Sequence, residues 1–428
     1  MKRYSFPDQS QYEEIVCRPR LETAAIEKKV EPILAAVKEQ GDVALREFTQ
    51  RFDGVLLESL WVSESEISDA SAQLAPELCD AIRIARKNIE SFHRSQIALD
   101  AKVETMPGVY CWRRSIPLER VGFYVPGGSA PLFSTALMMA VPAVIAGCQD
   151  IVVCTPPGRD GKINPAILFT LSELGITRIM KVGGAQAIAA LAYGTESIAA
   201  VQKIFGPGNQ YVTVAKQLVS RERVAIDMPA GPSEVAVIAD ESADPGFVAA
   251  DLLAQAEHGS DSQVLLVSTS EQLLNAVEGE LEKQLATLPR SSFAREALAS
   301  SNFVQVRSLQ DGFALINHYA PEHLIILTKN PSQDASQVIN AGSVFLGQFS
   351  PESVGDYASG TNHILPTNGY AACLSGVSLD SFVRKVTFQE LTQAGLVGIG
   401  DAVQLMARAE GLEGHARAVS IRLGGKDV

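Results

Sequence analysis

The 428-residue chain is poor in histidine and cysteine, with six of each, and no two cysteines form a CxxC pair. Cys17, Cys79, Cys111, Cys148, Cys154 and Cys373 are scattered. That excludes a thiolate zinc site of the usual spacing and fits a reducing cytoplasm. Basic residues are in deficit, 36 against 49 acidic ones, for a formal charge of −13. Non-specific nucleic-acid binding, which needs a basic footprint, is disfavoured. An uninterrupted apolar run of membrane-spanning length is also missing. The oiliest segment, APLFSTALMMAVPAVIAG (130–147), contains Ser134, Thr135 and two prolines. It reads as a buried helix that starts at Ser129 and Pro131 and is interrupted by Pro142. The opening MKRYSFPDQSQYEE lacks the apolar core of a signal peptide. These absences point to a soluble cytoplasmic protein, and 46% hydrophobic with 20% charged residues is ordinary globular composition. The length suits two core-bearing domains.

Residues 20–100 read as helices rich in alternating charge. From about Gly122, short β-branched runs alternate with helical ones: IVVCTPPG, INPAILFTLSELG, RIMKVGG, AQAIAALAYG, KIFGPGN, QYVTVAKQLVS. That alternation predicts parallel strands joined by crossover helices. After MPAGPSE it begins again at VAVIAD and ends at SVFLG. The expected fold class is α/β: two incomplete Rossmann-like parallel-sheet domains with N-terminal helices and a small C-terminal helical arm. The shared rhythm fits an internal duplication, although no residue-level repeat is present. From Ser378 onward, LDSFVRKVTFQELTQAG and DAVQLMARAEGLEGHARAVSIRL read as two amphipathic helical segments.

Three glycine-rich turns end strands in the first half: VPGG (125–128), VGGAQ (182–186) and GPGN (206–209). Small residues there let a backbone approach phosphates, and a helix N-terminus favours anions. None is GxGxxG, so tight turns alone explain them equally well. LLAQAEHGSDS (252–262) ends a helix with Asp244 as N-cap and Pro245 at its first position. Phe247, Val248, Leu252 and Leu253 supply its apolar stripe. Gln255 and His258 share another face, and Gly259 suits a left-handed C-terminal cap. Taken alone, His258 could merely complement the helix dipole.

APEHLII (320–326) sets Glu322 and His323 before an apolar strand. Regular strand geometry would point them apart, but the irregular entry at Pro321 can bring both to one cleft for proton transfer. GDYASGTNHILPTNG (355–369) is a long polar loop holding Asp356 and His363, and His415 lies near Glu410 in a late helical stretch. Gln255, His258, Asp356 and His415 would offer two nitrogens and two oxygens to one borderline cation such as zinc, if the fold brings them together. On these residues alone a zinc hydrolase and a metabolite-binding protein remain open.

AIDMPAGPSEV, DLLAQAEHGSDSQV, APEHLII, SVFLG, SPESVGDYASGTNHILPT and the late AEGLEGHARAV resemble histidinol dehydrogenase, in order and over nearly the whole chain. The resemblance implies a zinc-dependent, four-electron oxidation of L-histidinol to L-histidine through the aldehyde, with two NAD⁺, in the last steps of histidine biosynthesis. It matches Gln255, His258, Asp356 and His415 to the zinc ligands, and Glu322 and His323 to the catalytic pair. These residues, with Ser233, His363 and Glu410, would also surround the substrate. Tyr124, Gln186 and Asn209 match positions on the nucleotide. It further implies a homodimer whose C-terminal arm reaches into the partner's site. On this basis residues 1–24 are an N-terminal arm, 25–120 with 233–377 the zinc and substrate domain, 121–232 the NAD domain, and 378–428 the C-terminal arm. His323 is then the expected base for the hydroxyl proton, and Glu322 the activator of the water that adds to the aldehyde. A thiol route through Cys111 or Cys148 is the rival, but neither sits in a helix N-terminal or cationic setting.

Overall fold

A parallel sheet can bury both faces only if its crossover helices stack on either side, and this chain builds that arrangement twice. The computed structural model describes residues 1–18, 23–127, 131–222, 224–229 and 231–424. Gly128 of the first glycine turn and the helix start at Ser129 lie outside the described residues. So do Ala230 of the MPAG stretch and parts of the two terminal arms (19–22 and 425–428).

Strand β1 (Lys2–Ser5) opens the chain, and β2 (Val103–Met106) and β3 (Val109–Pro117) follow a set of helices. The first parallel sheet comprises β4 (Arg120–Tyr124), β5 (Asp150–Cys154), β6 (Ile179–Met180), β7 (Lys203–Phe205) and β8 (Ala225–Ile226), in the order β6-β5-β4-β7-β8. The second comprises β9 (Glu234–Ala239), β10 (Gln263–Ser268), β11 (Asn302–Gln305), β12 (His323–Leu327) and β13 (Ser343–Leu346). Its order is β1-β11-β10-β9-β12-β13, again all parallel. Counted within each unit, both sheets run third, second, first, fourth, fifth. The residues 2–5 therefore form an edge strand of the second sheet. Strand interiors are almost wholly apolar, as sheets covered on both faces require. Among the described residues no helix is long and apolar enough to cross a membrane.

Four local readings of the sequence give way. The VRKVTFQEL stretch is not helical: Val383–Leu391 forms β14, antiparallel to β3 over nine residues. Phe388 stacks on Trp112 with ring centres 5.5 Å apart, and Lys385 Nζ donates to Ser115 Oγ at 2.8 Å. Those cross-strand pairs come from a partner 270 residues earlier, which no local pattern reveals. Pro142 does not break its helix, which runs unbroken over Phe133–Ala146. Proline removes the donor that would reach the carbonyl of Met138, and Asn362 Nδ2 satisfies that oxygen instead at 2.7 Å. The helix Pro245–Ala256 has the expected Asp244 cap but closes on Glu257 in the right-handed region, so Gly259 is not a left-handed cap.

The fourth concerns packing. Helices Thr23–Gln40 and Asp42–Asp53 lie against Gly184–Tyr193 and Gln210–Ser220, and Pro76–Arg94 lies against Phe133–Ala146. All of these belong with the first sheet. The grouping of 25–120 with 233–377 is therefore replaced, because the apolar faces of these helices are buried on the other unit.

Candidate active site

At the carboxyl ends of β4 to β7 the first sheet opens into a cavity of about 1370 Å³. Tyr124, Gln186 and Asn209 all line it. Tyr124 ends β4, and its hydroxyl accepts from the Gly184 N–H at 3.2 Å. Burial pushes its phenol up to about 12, so it stays a neutral hydroxyl. Gln186, 1% exposed, keeps its Oε1 without a partner. Asn209 caps the helix Gln210–Ser220 by accepting from the N–H groups of Tyr211 and Val212, both at 3.1 Å. Gly206 has φ +123°, and a Cβ there would overlap the carbonyl oxygen of Tyr124. The turn after β7 thus needs glycine to lie against β4. Asp53, from an N-terminal helix, also lines the cavity, and burial raises its carboxyl to about 6.

The second sheet collects its ionisable residues at the opposite, amino ends of the strands. Glu322 and His323 enter β12 after Ala320, which takes a left-handed φ of +49°. That turn gives the irregular entry expected at Pro321, and both side chains meet in one buried cluster. Glu322 Oε2 accepts from the Glu234 N–H at 2.9 Å and from Gln255 Nε2 at 3.3 Å. His323 Nδ1 lies 3.2 Å from the Glu234 carbonyl, 3.6 Å from Glu322 Oε2 and 3.8 Å from Glu352 Oε1. These are all acceptors, so Nδ1 carries a proton and Nε2 is the nitrogen left to face Asp356 Oδ1, 3.4 Å away.

The charges set one another. Burial disfavours the imidazolium of His323, but Glu352, Glu322 and Asp356 outweigh it and raise its pKa well above the ordinary value. Burial pushes Glu352, 1% exposed, up to about 8, with His323 opposing and Asp356, Glu322 and Asp251 adding. Burial alone would raise Asp356, yet His323, then His363 and His258, hold it below the usual carboxylate range. His363 Nδ1 is 2.7 Å from the Asp356 carbonyl and its Nε2 3.1 Å from Thr135 Oγ1. With Asn362 on Met138, this loop joins the cluster to the long helix of the first unit.

The family model for histidinol dehydrogenase matches residues 16–423. The chain belongs to the histidinol dehydrogenase family. It is 57% identical over 423 residues to the histidinol dehydrogenase of Bacteroides fragilis, covering 99% of both chains. With that of Xanthomonas euvesicatoria it shares 55% over 396 residues, 92% of each. The crystal structure of histidinol dehydrogenase from Elizabethkingia anophelis superposes with a TM-score of 0.97 at 51% identity, over 99% of this chain and 98% of that one.

Of the residues that the histidinol dehydrogenase resemblance assigns to zinc, one chain brings two, Gln255 and Asp356, onto one cluster. Gln255 and Asp356 both touch the Glu322–His323 pair, and His258 follows in the turn after Gln255, its N–H donating to the Gln255 main-chain carbonyl at 3.2 Å. Because Gln255 donates its amide nitrogen to Glu322, its Oε1 faces away, buried and without a partner. An orphaned buried carbonyl beside an aspartate and a histidine fits a divalent cation with nitrogen and oxygen ligands. Ser233 adjoins Glu234 at the entry of β9. Glu410 and His415 do not join the cluster within one chain. Both are exposed on the C-terminal helices, and neither side chain makes a hydrogen bond or ion pair among the described residues.

Two participants escaped the sequence reading. Glu352 joins His323 and Asp356 in a group whose ligand atoms lie within 4.8 Å of one another. Its i,i+4 spacing from Asp356, on the helix Glu352–Tyr357, was the available signal. Glu234 gave no such signal, because it contributes its main chain. The cysteine route finds no support in the geometry: burial raises the Cys148 thiol to about 11, and Cys148 Sγ points at the Phe382 carbonyl.

Proposed function

We propose that this protein oxidises L-histidinol to L-histidine through the aldehyde, in two steps that each reduce one NAD⁺, with one zinc ion per site. The carrying observation is the buried Glu322–His323 pair set beside the orphaned Gln255 carbonyl, in a chain of this family. Gln255, His258 and Asp356 would hold the zinc, with His415 arriving from the second subunit of a homodimer. Glu410 would reach the substrate from the same arm. Tyr124, Gln186 and Asn209 would hold the nucleotide at the mouth of the first sheet. When bound, the zinc supplies an electrophilic anchor for substrate nitrogens and a positive charge that favours neutral His323, and the nicotinamide supplies the hydride acceptor.

The chain's own residues do the proton work. His323 keeps its Nδ1 proton on the Glu234 carbonyl, which leaves the Nε2 lone pair free to take the hydroxyl proton of the alcohol. Glu322, fixed by the Glu234 N–H and Gln255, activates the water that adds to the aldehyde. Once it has released the first proton to solvent, His323 takes the proton of the hydrated aldehyde in the second oxidation. His363 and Ser233 orient the substrate, and holding the carbinol carbon in place supplies much of the rate.

NADH formation from L-histidinol and NAD⁺ is measured before and after metal is stripped with a chelator and zinc is restored. Activity should vanish, return with zinc, and yield two NADH per histidine. No NADH under any metal condition would discard the reading and bring forward a hydrolase or a binding protein.

A further inference from the structure

Both members of the pair lean on one residue's main chain. The Glu234 N–H donates to Glu322 Oε2 at 2.9 Å, and the Glu234 carbonyl faces His323 Nδ1 at 3.2 Å. A residue that orients two reacting side chains through its backbone must itself be held. Its carboxylate is buried, and Arg18 grips it at two points, Nε to Oε1 at 2.5 Å and Nη2 to Oε2 at 3.0 Å. The same Nη2 donates to the Tyr319 carbonyl at 2.6 Å, and the guanidinium carbon sits 4.1 Å from the centre of the Tyr319 ring. Tyr319 ends the helix Leu309–Tyr319, just before the left-handed Ala320 and the pair itself. The Asn368 N–H completes the ring of contacts by donating to Glu234 Oε1 at 2.9 Å. A single side chain from the N-terminal segment therefore ties the entry of β9 to the turn that delivers Glu322 and His323 to β12.

We propose that Arg18 is a positioning residue for the Glu322–His323 pair, acting through Glu234 and the turn at 319–323. The assignment rests on the dehydrogenase reading for what the pair does. Only a guanidinium suits the position: its planar fork binds the carboxylate twice, keeps a donor for the Tyr319 carbonyl and stacks on the ring. An ammonium cannot do all three. Without Arg18, the buried Glu234 carboxylate loses its cation, and the strand entry it sits on has reason to move. Arg18 also lines a cavity of about 820 Å³ among the described residues, so a small cation can diffuse to the vacated place.

The experiment compares the zinc-loaded parent with Arg18→Ala and Glu234→Gln. The second keeps the shape of the network if the first fails to fold. The kcat should fall about 10- to 100-fold, as expected for a small misplacement of catalytic groups, while KM for L-histidinol and for NAD⁺ stays within about twofold. Guanidinium ion, well below denaturing concentration, should restore much of the kcat of Arg18→Ala and none of that of Glu234→Gln. A second readout needs no turnover: the downfield Nδ1–H proton resonance of His323, identified by its loss in His323→Asn. It should exchange slowly in the parent, broaden in Arg18→Ala, and sharpen again with guanidinium. Unchanged kcat in both variants, or a parallel loss of kcat and folded protein without rescue, overturns the assignment and makes Arg18 a tether only. If the parent forms no NADH, the dehydrogenase reading fails by itself, and the His323 resonance decides the clamp.

Discussion

The two parallel sheets share one strand order but use opposite ends. In the first, the cavity lies beyond the carboxyl ends of β4 to β7, where open α/β sheets ordinarily bind ligands at the reversal of strand order. Its wall combines turns and a helix cap with the basic side chains of Lys29, Arg51, Arg159 and Lys162, and burial raises the Asp53 carboxyl there to about 6. In the second, the ionisable residues gather at the amino ends, where Glu234 begins β9 and His323 begins β12. There the side chains are ionisable, buried and mutually dependent. The loop at 362–363 connects the two, with one residue on the Met138 carbonyl and the next on Thr135 and Asp356. One topology thus supports a cofactor-sized cleft in one copy and a reactive cluster in the other. What separates them is whether turns or strand entries carry the functional groups.

If that division is right, the largest effects belong to the second sheet. His323→Asn should lower kcat by roughly 10²–10⁴-fold, the range for loss of a general base. A parental kcat in that variant, measured by NADH formation, would break the division outright. A second large effect tests the completeness of the cluster. His415→Ala and His323→Asn should each be nearly inactive, but mixed, dissociated and reassociated chains should regain about a quarter of the parent rate, since half of the dimers then carry one intact site. A mixture that stays inactive would place His415 within its own subunit's chemistry or outside it altogether.

A smaller effect concerns stability. Burial raises the Asp251 carboxyl to about 7, and it has no hydrogen-bond partner or counter-ion among the described residues. A raised folded-state pKa means that the carboxylate destabilises the fold fully above pH 7 and not at all once both states are protonated, below about pH 4. Asp251→Asn should therefore raise stability by on the order of 1–3 kcal/mol at pH 8, with the gain fading as the pH falls toward 4. Denaturant titrations at several pH values check it. The smallest effect is none: Cys148→Ala should keep both oxidations, because a half-buried thiol raised to about 11 is no nucleophile at neutral pH.

The sequence made the alternation of strands and helices legible, and with it both sheets, since short continuous β-branched runs and helical stripes are local signals. The pair in APEHLII and the polar loop were equally visible. β14 was not, because its charged, alternating stretch is decided by β3, far away in the chain. Pro142 misled for a related reason: the carbonyl it frees is answered by Asn362, a partner no window of sequence contains. Arg18 and Glu234 were silent because their importance lies in a long-range ion pair and two backbone groups. His415 was legible as a ligand candidate, but within one chain it stands apart from the cluster.

The most direct test of the division is equilibrium binding of NAD⁺, followed by the quenching of protein fluorescence, to the parent, Gln186→Ala and His323→Asn. Loss of a buried polar contact at Gln186 should weaken binding by about tenfold, while His323→Asn should bind as the parent does despite its lost turnover. The reverse pattern, with binding lost at His323 and kept at Gln186, would contradict the assignment of the cofactor to the first sheet and the chemistry to the second.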